Sequence, residues 1–135
     1  LAVSRDSGAT FDSADLDAKA TTLGRVDVDL LDNGDVVVSW LRTTQPQRAQ
    51  IMLSRFDPTG ALKQMLELAE TSASRRSGFP VMQAVGNEVY VTWTQVLQRA
   101  DQGKDRATRA GRTASEVRLA RVSFASGQDD PSAGH

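Results

Sequence analysis

Two aspartates form the clearest chemical pattern in the chain. Asp27 and Asp29 alternate with Val26, Val28 and Leu30, so in a β-strand both carboxylates lie on one face and the aliphatic side chains on the other. Neighbouring carboxylates can form a paired site for acid–base chemistry, which makes Asp27 a weak catalytic candidate. The alternative is that the pair is hydrated or bonded to arginines of an adjacent sheet, since burial without partners is costly.

Composition excludes several other kinds of site. The 135 residues include no Cys and one His, His135. A thiolate nucleophile, a disulfide framework, a Ser-His-Asp triad and a cysteine or histidine metal site cannot be built from this chain alone. We therefore expect no metal site and no cofactor.

Charge and hydropathy narrow the class of protein further. The 16 basic and 17 acidic residues nearly cancel, which is unlike a nucleic-acid-binding domain, so no nucleic acid partner is expected. No apolar run exceeds a few residues, so the sequence predicts neither a membrane span nor a signal segment. The length suits a single domain, and we interpret the chain as a mature product or a piece of a longer protein.

Short stretches rich in β-forming residues follow one another in the first half of the chain. The segment Asp32-Asn33-Gly34-Asp35 predicts a hairpin with a type I′ turn, and Asp57-Pro58-Thr59-Gly60 predicts a second hairpin. Together these signals predict four antiparallel strands in meander order, over Arg25–Leu31, Val36–Leu41, Ile51–Phe56 and Met65–Ala69.

The same pattern then recurs. Gly78–Trp93 repeats Gly24–Trp40, with a glycine start, an apolar strand, a shorter Gly/Asn turn and a Val-rich strand ending near a tryptophan. Further on, Leu119–Val122 echoes Leu53–Phe56. A repeat of about 40–50 residues with four strands is typical of a β-propeller blade. The two tryptophans are expected in the core between blades, and the alternative is an exposed platform for sugar stacking.

An insertion interrupts the second module over residues 95–115. It carries five Lys or Arg residues against Asp101 and Asp105, and its apolar residues are nearly all Ala. We predict a solvated loop, because little in it can offset the entropy of ordering. The alternative is a loop that contacts phosphate or another anion. The tail over residues 126–135 is predicted to be disordered.

A short motif near the start of the chain is more specific. Ser4, Asp6, Gly8, Thr10 and Phe11 match the pattern S-x-D-x-G-x-T-[W/F] of the Asp-box, or BNR repeat. The Asp carboxylate can accept backbone N–H bonds across a hairpin turn, Gly supplies a positive φ, and the aromatic ring is expected to pack the hairpin base. The motif is therefore expected to stabilise the fold. The segment 54–60 is interpreted as a degenerate second copy.

On these residues the chain resembles the sialidase-like β-propellers, in which Asp-boxes recur. The resemblance implies an all-β, β-propeller fragment of about two and a half four-stranded antiparallel blades. Residues 1–23 would end a preceding blade, 24–71 would form a complete blade, and 72–125 an incomplete last blade. A closed ring of the family has more blades, so the rest would come in cis or by self-association. The resemblance also implies an exported protein.

The family's chemistry implies candidate site residues. Sialidases hold a substrate carboxylate with arginines, and Arg25 and Arg75 or Arg76 stand where such arginines are expected. The alternative is that these arginines are solvated or bonded between blades. The family also uses a nucleophilic Tyr paired with a Glu, for which this chain offers only Tyr90 with Glu88 on the same strand face. The early arginine motif of the family is absent.

Two functions follow from these expectations. One is a propeller that binds an acidic glycan or a protein ligand, or that assembles, without catalysis. The other is the C-terminal part of an exo-α-sialidase-like glycoside hydrolase. For the isolated chain we favour the binding or assembly function, because the catalytic set is incomplete.

Overall fold

A computed structural model describes residues 1–17, 21–73, 79–97 and 114–124. These residues are all-β, as the sequence predicts, and they include no helix that could cross a membrane. Their strands are β1 (Ala2–Val3), β2 (Asp12–Ser13), β3 (Thr21–Leu30), β4 (Val36–Gln45), β5 (Arg48–Phe56), β6 (Leu62–Ser72), β7 (Val81–Val85), β8 (Glu88–Val96) and β9 (Ser115–Ser123).

The strands form three antiparallel sheets, none of which is closed. The first sheet contains β1 and β2, the second contains β3 to β6, and the third contains β7 to β9, each in chain order. The predicted four-stranded meander is confirmed in the second sheet. This sheet runs from Thr21 to Ser72, slightly beyond the expected 24–71 unit at both ends.

The turn between β3 and β4 is not the predicted type I′ turn. Three residues form the loop, which is closed by a bond from Leu31 N to Asp35 O, and only Gly34 has a positive φ, 85°. Asn33 instead accepts a bond from Asp35 N on its side-chain oxygen at 3.0 Å. The Asp57–Ala61 loop has an equivalent closing bond of 2.9 Å, so both hairpins use a three-residue loop with a left-handed glycine.

The third sheet repeats the second with a shorter turn. Two residues, Gly86 and Asn87, join β7 to β8, and Gly86 has a φ of 63°. The echo of β5 lies in β9, which pairs antiparallel with β8 as β5 pairs with β4. The predicted internal repeat is therefore confirmed in its strand order and in its shortened turn.

The predicted boundaries of the insertion are wrong by a few residues. Strand β8 continues through Gln95 to Val96, and Leu97 N still donates a 2.9 Å bond to Ala114 O. Strand pairing therefore extends to the base of the insertion. Residues 98–113 and the tail over residues 126–135 lie outside the described residues.

The apolar core lies on both faces of the second sheet. One cluster, which includes Val37, Ile51 and Trp93, packs this sheet against the third sheet. A second cluster, which includes Trp40, packs its other face with Leu1 and other residues of the N-terminal segment. Each tryptophan thus lies on the side of its sheet that faces the preceding part of the chain. Both are buried, as expected of core residues, so the alternative of an exposed sugar platform is wrong.

Candidate functional site

Asp27 and Asp29 join the second sheet to the third. Asp27 Oδ2 accepts a bond from Met82 N at 2.7 Å, and Asp29 Oδ2 accepts one from Ala84 N at 2.6 Å. Their other carboxylate oxygens accept backbone bonds from the next residues of β3, at 3.1 Å and 2.9 Å. All four oxygens are therefore engaged with backbone N–H groups. We call this arrangement the carboxylate clasp.

The clasp gives the pair backbone partners that the sequence did not predict. Asp27 accepts bonds from backbone amides of its own strand and of β7, so the pair occupies an inter-sheet contact. Strand β7 is an edge strand, so its outward N–H groups would otherwise lack partners. The geometry thus gives Asp27 a structural role in holding two sheets together.

A buried ion pair lies on the same face of the second sheet. Asp35 is 2 % exposed and accepts a bond from Arg55 Nε at 2.5 Å, with Lys63 Nζ at 3.4 Å. The Arg55 guanidinium carbon lies 5.0 Å from the ring centroid of Phe124, at the end of β9. Burial alone would raise the pKa of Asp35, but the bonds from Arg55 and its neighbours outweigh burial and lower it. Sequence analysis missed this pair because Asp35 was assigned only to the turn.

The third sheet carries a counterpart of this pair on its outer face. Glu88 accepts bonds from Arg121 and from Ser123 Oγ on Oε1, the latter at 3.2 Å, and from Tyr90 Oη on Oε2 at 2.7 Å. Arg121 lies opposite Tyr90 on β8, as Arg55 lies opposite Val37 on β4. Val37 and Tyr90 each stand three positions before the tryptophan of their strand.

The pKa values of Glu88 and Tyr90 do not favour nucleophilic catalysis. The bonds from Arg121 and Tyr90 lower the pKa of Glu88 to about 2, so Glu88 is a weak base. Donation to Glu88 raises the pKa of Tyr90, which disfavours the phenolate. The predicted contact between Tyr90 and Glu88 is present, but its electrostatics favour a neutral phenol over an activated nucleophile.

The predicted carboxylate-binding arginines stay predictions. Arg25 lies in β3, where the register with β4 shifts between Leu23 and Asp27. Its side chain lies outside the described part of the structure, as do Arg75 and Arg76. Among the described residues, no group of three or more His, Cys, Asp or Glu could hold a metal ion.

The Asp-box forms the bond network that its residue types predict. Asp6 Oδ1 accepts bonds from Thr10 N and Ser4 Oγ, both at 2.9 Å, and Asp6 Oδ2 accepts one from Thr10 Oγ1 at 2.6 Å. Ser4 Oγ accepts a bond from Gly8 N at 2.7 Å. The bonds from Thr10, followed by the bond from Ser4, lower the pKa of Asp6 to about 2. The predicted packing of Phe11 is wrong, because its side chain is 60 % exposed.

In the degenerate second copy, over residues 54–60, the carboxylate of Asp57 bonds the turn, but the serine takes no part in the network. Asp57 Oδ1 accepts bonds from Thr59 N at 2.8 Å and from Ala61 N, four residues on, at 3.0 Å. The bond from Thr59 Oγ1 is the main cause that lowers the pKa of Asp57. In the described contacts, the buried Ser54 is not bonded to this carboxylate. The N-terminal box also contacts this turn, because Arg5 donates a 3.0 Å bond to Thr59 O.

Comparison of the chain with protein-family models, with curated proteins and with solved structures found no match. The functional argument therefore depends on the geometry of the chain itself.

Proposed function

We propose that the chain is part of a sialidase-like, exported β-propeller and that it serves as a binding and assembly unit. In this proposal the three sheets are successive blades, about two and a half in number. The observation that carries it is the repeated arrangement of the second and third sheets. Their tryptophans and their acid–arginine pairs occupy equivalent positions, and each sheet faces the next through the same side.

Repeats that stack in this way bury their faces only against neighbours, so an open stack needs further sheets to complete it. Binding rather than catalysis is supported by the state of Tyr90, which is held as a phenol by a carboxylate that is itself paired with Arg121. An acidic glycan or a protein ligand would be held by cationic side chains, of which Arg25 is the first candidate.

The test uses the full chain with a fluorogenic α-sialoside for turnover and with sialyllactose for binding by calorimetry. We expect no release of the fluorophore above a protein-free control. Binding of the acidic sugar should fall at least tenfold in Arg25→Ala and should be unchanged in Arg48→Ala, a matched loss of one exposed arginine. Equal loss in both variants would contradict a specific role for Arg25.

A second candidate function, hydrolysis of an acidic glycoside, is favoured by one observation. Tyr90 Oη lies 2.7 Å from Glu88 Oε2, within the distance needed for proton transfer. Under this function the fluorogenic sialoside would be cleaved, and Tyr90→Phe would abolish cleavage while the fold, followed by circular dichroism, stays intact. That result would overturn the binding proposal.

A further inference from the structure

Two exposed surfaces of the sheets correspond in register to the two surfaces that meet inside the chain, with Val81 and Gln83 in the places of the two aspartates. Inside the chain, the side of β3 that carries Asp27 and Asp29 covers Met82 and Ala84 of β7. We call the outer side of the third sheet the tail face, with Val81, Gln83 and Val85 on its first strand. We call the opposite side of β3 the head face, defined by Val26, Val28 and Leu30.

The strand registers of the second and third sheets match residues of the head face with residues of the third sheet. Val28 and Met82 each pair with the residue two positions before the tryptophan of their sheet, so they correspond to each other. Leu30 and Ala84 correspond in the same way, four positions before the tryptophan. Met82 is 7 % exposed beneath β3, whereas Val28, at the same position one repeat earlier, is 58 % exposed. On β3 the head face is therefore the uncovered version of a surface that the chain covers elsewhere, while the N-terminal segment packs beside it over Trp40.

The tail face shows the complementary situation. Val81 and Gln83 correspond to Asp27 and Asp29, which bind the next sheet. Val81 is 63 % exposed, and the counterparts of the buried Ile51 and Leu53, namely Val117 and Leu119, are exposed as well. The tail face is mixed, because these aliphatic residues on β7 and β9 flank Tyr90 and the Glu88–Arg121 pair. Exposed aliphatic residues gathered on one sheet face mark an interaction surface.

We infer that a second copy of this chain docks head to tail, with β7 of one copy against β3 of the next. This inference deepens the proposed assembly function and rests on it. The contact joins two different surfaces, so it is heterologous and leads to a ring if the rotation closes. Continuity with the internal contact favours this occupant, because the register counterparts of both surfaces already meet within one chain. Between two copies the contact is made by apolar packing, since Val81 and Gln83 stand in the places of the two aspartates.

The test measures mass in solution by sedimentation equilibrium over a range of concentrations. The wild-type chain should exceed its monomer mass of 14.6 kDa as concentration rises. Val28→Glu, on the head face, and Leu119→Glu, on the tail face, should each stay monomeric. Their counterparts in the internal contact, Met82 and Leu53, are buried, so a carboxylate there would be desolvated. The control Gln45→Glu adds the same charge at the exposed β4–β5 turn and should associate like the wild type.

Mixing the two variants gives the sharpest result. Val28→Glu keeps an intact tail face and Leu119→Glu keeps an intact head face, so an equal mixture should form a complex of two copies and stop there. A monomeric mixture, a Val28→Glu variant that still self-associates, or a wild-type chain that stays monomeric would each overturn the inference. Circular dichroism of each variant shows that folding is retained. The sialoside experiments judge the proposed function separately, because binding to Arg25 does not require a second copy.

Discussion

The second and third sheets carry the same kind of ion pair in opposite surroundings. The side chains of Asp35 and Arg55 are 2 % and 11 % exposed, whereas those of Glu88 and Arg121 are 29 % and 59 % exposed. Each arginine lies on the third strand of its sheet, opposite the residue that stands three positions before the tryptophan on the second strand. The pairs therefore differ mainly in what covers them.

The third sheet covers the first of these pairs, with the Phe124 ring over Arg55. Among the described residues, nothing covers the outer face of the third sheet in the same way. A repeated sequence pattern can therefore give a buried structural pair inside a stack and an accessible pair at its end. The comparison predicts that matched substitutions at the two positions have unequal effects.

The largest difference is expected between Arg55→Ala and Arg121→Ala. Arg55→Ala leaves the Asp35 carboxylate buried with only its weaker partners, and loss of one member of a buried pair costs about 3 kcal/mol. Arg121→Ala leaves Glu88 in contact with water, so its free energy of unfolding should change much less. Urea unfolding of both variants at pH 7 measures the two effects, at a protein concentration low enough for the chain to be monomeric, since the Glu88–Arg121 pair lies on the tail face. Equal losses would show that burial does not distinguish the pairs.

A smaller difference is expected at the carboxylate clasp. Asp29→Ala removes two accepted backbone bonds and frees the N–H of Ala84, which should cost about 1–2 kcal/mol. Gln83→Ala removes the residue at the corresponding position of the third sheet. Its unfolding free energy should stay within about 0.5 kcal/mol of the wild type, as for an ordinary surface substitution. Thermal unfolding of the two variants measures this difference. A larger loss of stability in Gln83→Ala than in Asp29→Ala would contradict the comparison.

Local patterns predicted much of the architecture. The strands of the second sheet follow from β-forming stretches separated by Asp/Asn-Gly and Pro-containing turns, and the Asp6 network follows from the short side chains around it. These features depend on residues a few positions apart, so their residue types carry the information. The type I′ assignment failed because the loop has three residues, which leaves Asn33 free to bond Asp35 N.

The inter-sheet contacts could not be read in the same way. The partners of Asp27 and Asp29 on β7 are backbone N–H groups, which every residue except proline carries and which leave no mark in the sequence. The Asp35–Arg55 pair depends on the strand register of the β4–β5 hairpin, which joins residues twenty positions apart. The echo between Arg55 and Arg121 was the signal that could have found it, because both arginines occupy the same place in the repeated segments.

The smallest effect concerns acid stability at the exposed pair. The pKa of Glu88 in the folded chain is lowered from 4.5 to about 2, so the unfolded chain binds more protons between these values. This contribution to the free energy of unfolding is present above pH 4.5 and is lost as the pH falls towards 2. In Arg121→Ala the pKa should rise towards 4.5, and in Tyr90→Phe it should rise less, because Arg121 is the larger cause. Carboxyl carbon shifts followed by NMR against pH measure both changes, and a larger rise in Tyr90→Phe would contradict the pairing of Glu88 with Arg121.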